Sequence, residues 1–139
     1  MPGEDDAPPE KTAALLYIED NLANLSLIET ILSERPGIAL LSALQGRLGL
    51  DLAEKHRPDL ILLDLHLPDM AGDEVLARLR SRPETRDIPV IVVSADATPG
   101  SVERLLRAGA RGYLTKPLDV EQFLGTIDEI LEKEGARNN

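Results

Sequence analysis

Cysteine and tryptophan are absent from this 139-residue chain, and its only aromatic side chains are Tyr17, Tyr113 and Phe123. Without cysteine there are no disulfides, no thiolate chemistry and no zinc site of the usual Cys-containing kinds. So few rings leave no stacking platform for single-stranded nucleic acid or carbohydrate, and the core must be aliphatic. Positive charge is also scarce. Fifteen Lys and Arg stand against 25 Asp and Glu, a formal charge of −10, and no segregated basic patch is visible that would grip a phosphate backbone. No apolar run approaches the length of a membrane span, and the acidic, proline-rich start MPGEDDAPPE is the opposite of a signal peptide. These absences lead us to expect a soluble cytoplasmic protein with no direct nucleic-acid partner and no membrane insertion.

An apolar content of 42% in a chain of this length suits one domain with a single core. Residues 1–11 and 135–139 have little to bury and read as tails, leaving the domain at 12–134. Within it, short apolar runs alternate with helical patterns. Strands are expected at AALLYIE (13–19), IALLSA (38–43), PDLILLD (58–64), IPVIVVSA (88–95) and GYLT (112–115). Helical spacing links Leu22, Leu25, Ile28 and Ile31 or Leu32, and more weakly Leu48, Leu52 and Ala53 after Gly46. It returns with Val75, Leu76 and Leu79 in 72–81, with Val102, Leu105 and Leu106 in 99–108, and with Val120, Phe123, Leu124, Ile127 and Leu131. Five strand and helix pairs with continuously apolar strands predict an α/β fold, a doubly wound parallel sheet covered on both faces.

In such sheets ligands bind beyond the carboxyl ends of the strands. Glu19 and Asp20 finish the first strand, Asp64 the third, Ser94 the fourth, and Thr115 and Lys116 the fifth. Carboxylates gathered at one rim repel each other, and a hard divalent cation resolves the conflict. An all-oxygen ligand set favours magnesium, with manganese as the alternative. A strand-end carboxylate beside that ion is suited to act as a nucleophile toward phosphorus, and Asp64 is the central candidate. Lys116 and Ser94 would receive the transferred group's oxygens.

The stretches YIEDN (17–21), PDLILLDLHLPDMAG (58–72), PVIVVSADA (89–97) and GYLTKPLD (112–119), in this order and spacing, resemble the receiver domains of two-component response regulators. The likeness covers roughly 13–134. It implies a flavodoxin-like fold with strand order 2-1-3-4-5, and Asp64 as the acceptor of a phosphoryl group from a histidine kinase or phosphotransfer protein. Asp20 would bind the metal directly, Glu19 through water, and His66 by its backbone carbonyl. Ser94 and Lys116 fall on the family's hydroxyl and lysine, Tyr113 on its aromatic switch position, and Lys116-Pro117 on a peptide bond that is usually cis. His66 and Asp96 occupy the variable positions that tune phosphoryl lifetime in the family. Glu19 for Asp and Ser94 for Thr are common variants.

Taken singly, the same residues have plainer readings. Asp20 would cap the first helix, Asp64 would be a turn residue, and the side chains of His56 and His66 would be exposed. The ordered set favours a phosphorylated switch without turnover of an external substrate, whose output passes through a downstream protein target. No output domain is expected after the last helix. The chain reads as a free-standing regulator or as the receiver module of a hybrid histidine kinase, with dimerisation through the fourth and fifth helices left open. Two alternatives stand beside it. A magnesium-dependent aspartyl-phosphate phosphatase would want Asp where His66 stands, and a degenerate scaffold would not need the complete acidic and lysine set.

Overall fold

The computed structural model of the chain describes residues 13–96 and 98–138. The expected N-terminal tail lies outside the described residues. The elements are β1 (Ala13–Ile18), α1 (Leu22–Leu32), β2 (Ile38–Ala43), α2 (Gly46–His56), β3 (Leu60–Asp64), α3 (Gly72–Ser81), β4 (Val90–Ser94), α4 (Pro99–Arg107), β5 (Gly112–Thr115) and α5 (Val120–Asn138). All five strands are parallel, in the order β2-β1-β3-β4-β5. The doubly wound sheet and its strand order therefore match the expectation. Among the described residues no helix is long and apolar enough to cross a membrane.

Alternation along the strands sorts the core into two layers. Leu15, Tyr17, Leu60, Leu62, Ile91 and Val93 meet α1 and α5 on one face. Leu16, Ile18, Ile61, Leu63, Val90 and Val92 meet α2, α3 and α4 on the other. Strands β3 and β4, buried at every position, are the continuous apolar runs of the sequence. They are shorter than the runs themselves, because Pro58 and Pro89 lack the N–H that a ladder requires.

Several helical faces differ from the periodic expectation. Leu22 and Val120 open their helices beyond the packed layer and are 66% and 42% exposed, while Leu106 in the last turn of α4 is 44% exposed. In α2 the core contact comes from Gly46, Gly49, Leu50 and Ala53, and Leu48 faces outward. Gly49 makes this possible, since a Cβ there would lie 2.5 Å from Ile18 Cδ1. The amino end of α2 is capped from another segment: Asp69 accepts from the N–H groups of Gly46 and Arg47, at 2.7 and 2.9 Å. The expected tail from 135 onward is helical backbone as far as Asn138.

Gly72 fixes the loop that follows β3. Its N–H donates to the Leu65 carbonyl at 3.0 Å, and a Cβ would meet Leu65 Cα at 2.6 Å and the Asp64 carbonyl oxygen at 2.8 Å. Both neighbours are backbone, so neither can rotate aside. Gly72→Ala is expected to displace the end of β3 and to lower stability by about 1–3 kcal/mol, read as a fall in the thermal midpoint. An unchanged midpoint would show that the loop yields freely.

Candidate metal centre at the strand ends

The sheet brings Glu19, Asp20 and Asp64 together, with one carboxylate oxygen of each within 4.8 Å of the others. The register explains the meeting, because Ile18 pairs with Leu63 and each chain continues one residue further into an acidic side chain. Asp64 is 4% exposed and Glu19 is fully buried, whereas Asp20 is exposed. Asn21, not Asp20, caps α1: its side chain accepts from the Asn24 N–H at 3.0 Å. The capping role that Asp20 has as an isolated residue is therefore filled by its neighbour.

Lys116 reaches in from the end of β5. Its Nζ is 2.9 Å from Glu19 Oε1 and 3.5 Å from Asp64 Oδ2. One ammonium against three carboxylates leaves the cluster net negative. Burial, and then the neighbouring Glu19, push the Asp64 carboxyl up to about 6, against the pull of the His66 N–H at 3.2 Å and of Lys116. Burial also acts to raise Glu19, but hydrogen bonds from protonated Asp64, Lys116 and Asn24 outweigh it and hold the carboxyl near 2. Below about 6 the pair thus carries one proton, on Asp64, and above it both are ionised, the form that a cation favours. Oxygen donors alone, partly buried and short of positive charge, fit a hard divalent ion.

Ser94 is fully buried one residue beyond Val93, the partner of Asp64 in the ladder. Its Oγ accepts from the Asp96 N–H at 3.1 Å, and its carbonyl from the Lys116 N–H at 2.9 Å. Asp96 accepts through its carboxylate from the Thr98 N–H and the Ser101 hydroxyl, and its carbonyl accepts from the hydroxyl of half-buried Tyr113. The Lys116-Pro117 bond is cis. His66 has an exposed side chain, and its backbone bridges to Ala71. The structure therefore brings Glu19, Asp20, Asp64 and Lys116 to one rim, with Ser94 on the adjacent strand and Tyr113 linked to it through Asp96.

Sequence reasoning missed Tyr17 and Asn24. The Tyr17 hydroxyl donates to Glu19 Oε1 at 3.0 Å and Asn24 Nδ2 to the same oxygen at 2.8 Å. The period of two along β1 was the available signal for Tyr17, since residues 17 and 19 share a face. For Asn24 no local pattern pointed inward.

A model of the response regulator receiver domain matches residues 15–128. The polar-differentiation response regulator DivK of Brucella anthropi is 40% identical over 118 residues, covering 85% of this chain and 95% of that protein. Among solved structures, a CheY-like receiver domain protein from Methanospirillum hungatei superposes with a TM-score of 0.80 at 29% identity, over 93% of this chain and 99% of the other. The receiver domain of a sensor histidine kinase from Pseudomonas aeruginosa gives 0.78 at 29% identity, over 86% and 98%. That structure has magnesium coordinated in its active-site cleft.

Proposed function

The chain belongs to the response regulator receiver domain family of two-component signalling, and on that premise we propose that Asp64 is its phosphoryl acceptor. The observation that carries this is a buried carboxylate at the end of the central strand, crowded by Glu19 and faced at 3.5 Å by the Lys116 ammonium. An Asp64 oxygen attacks the phosphorus of a phosphohistidine on a kinase or phosphotransfer protein. The P–N bond breaks, and its electron pair returns to the imidazole. Magnesium, when bound, neutralises charge on the transferring oxygens. Asp20, Asp64 and the His66 carbonyl would hold the ion, with Glu19 acting through water.

Lys116 then exchanges its contact with Glu19 for a phosphoryl oxygen, and the Ser94 hydroxyl turns from the Asp96 N–H toward the same group. Since Tyr113 donates to the Asp96 carbonyl, moving this loop releases its ring into the space that Ser94 leaves. The surface of α4, β5 and α5 is the part reshaped for a downstream protein and for homodimerisation. His66 and Asp96 flank the acceptor and set how long the phosphoryl group survives. The domain promotes its own phosphorylation and dephosphorylation in the cytoplasm and does not turn over an external substrate.

Incubation with acetyl phosphate and magnesium is expected to yield one labile phosphoryl group per chain by intact mass, and chelating the metal should abolish it. Steady release of phosphate from assorted monoesters would favour the phosphatase reading instead. Absence of any adduct with the metal present would favour the scaffold.

A further inference from the structure

Three donors converge on a single oxygen of Glu19. The Tyr17 hydroxyl at 3.0 Å, Asn24 Nδ2 at 2.8 Å and Lys116 Nζ at 2.9 Å all point to Oε1. With Asp64 ionised, Oε2 receives among the described residues only the long contact from the Asn21 N–H, at 3.4 Å. A carboxylate oxygen has two lone pairs, so Oε1 is saturated and Oε2 is the atom left for the cleft. We propose that Tyr17 and Asn24 are positioning residues for the metal site: by fixing Glu19 through Oε1 they present Oε2 to magnesium and its waters. This rests on reading the acidic cluster as a magnesium site.

The contact with Lys116 alone would not serve. That ammonium also faces Asp64 and is the group that leaves Glu19 for the phosphoryl oxygens in the proposed reaction. Once it leaves, a buried carboxylate held by nothing else would be free to rotate. Tyr17 and Asn24 are neutral and do not take part in the transfer, so they hold Oε1 in both states. The fold suits them to the task. Tyr17 is 1% exposed, with its ring in the layer beneath α1 and α5 and its hydroxyl on Glu19, two residues along the chain. Asn24 sits in the first turn of α1, its backbone N–H fixed by the Asn21 cap. A small cavity of about 90 Å³ lined by Tyr17, Asn24, Leu27, Lys116, Pro117 and Leu118 lies beside them.

Tyr17→Phe keeps the packed ring and removes only the hydroxyl. Magnesium chloride titrated calorimetrically into this variant at constant ionic strength should show affinity about tenfold weaker than in the native chain. In a Glu19→Asp background, where the shorter carboxylate cannot span to the hydroxyl, adding Tyr17→Phe should change affinity less than about twofold. A spectroscopic arm needs no change at Tyr17. In Tyr113→Phe, Tyr17 is the sole tyrosine of a chain without tryptophan, and its fluorescence should change saturably as magnesium draws on Glu19. Native affinity in Tyr17→Phe together with silent fluorescence would overturn this assignment alone. An equal loss in the Glu19→Asp background would also overturn it, by making the hydroxyl a general stabiliser. Failure of the native chain to bind magnesium at all would overturn the metal reading beneath it.

Discussion

Asp64→Asn is expected to take up no phosphoryl group from acetyl phosphate, a loss of at least on the order of 10³-fold in yield by intact mass. The amide copies the shape of the carboxylate, so β3 and its contacts survive, but the nucleophilic oxygen pair is gone. Among the described residues Asp20 forms no ion pair with Lys116, and Glu19 commits Oε1 to three donors and, in the proposed site, Oε2 to the metal and its waters. The native chain treated in parallel should gain one adduct that hydrolyses on standing. An adduct of unchanged yield in the variant would place the acceptor elsewhere and overturn the assignment.

The same substitution should stabilise the metal-free protein. Burial and Glu19 raise the Asp64 carboxyl from its ordinary 3.8 to about 6. The folded state therefore binds more protons than the unfolded state between those values. The contribution of Asp64 is most favourable below about 3.8 and is lost as pH rises to about 6. Glu19 has the opposite sign: lowered from 4.5 to about 2, it stabilises above 4.5, and that benefit fades as pH falls. In chelator, stability should thus be greatest near pH 4–5 and decline toward pH 7 by about 1–2 kcal/mol, the Asp64 loss being partly offset by the Glu19 gain. Asp64→Asn should remove that decline and raise the thermal midpoint at pH 7 by roughly 5 °C. Saturating magnesium should flatten the native profile without moving that of the variant to the same degree. A native profile level from pH 4 to 7 in chelator would show that the carboxyl is not strained by its surroundings.

How much of this was legible beforehand depends on the range of the interaction concerned. The α/β alternation was readable because continuously buried strands such as β3 and β4 need continuous apolar runs, and the helix over Gly72–Ser81 needs Val75, Leu76 and Leu79 on one face. The inner face of α2 was not readable in the same way. Hydrophobic periodicity credits Leu48, whereas the packed contact is made by Gly49 against Ile18, a fit of shape that no pattern of apolarity records. Edge positions such as Leu22 and Val120 look like core in a periodic scheme because it does not know where the packed layer ends.

The linear order of residues by itself determined the strand ends, the carboxylates placed on them and the sign of the charge they gather, because each is a property of one short segment and its period. The folded chain alone decided which oxygen of Glu19 is engaged and by whom. That outcome joins Glu19 to a lysine 97 positions away, as the cap of α2 joins Asp69 to a helix end 23 positions away. Hydrogen bonds act over about 3 Å, and only packing in three dimensions brings such distant groups within that reach.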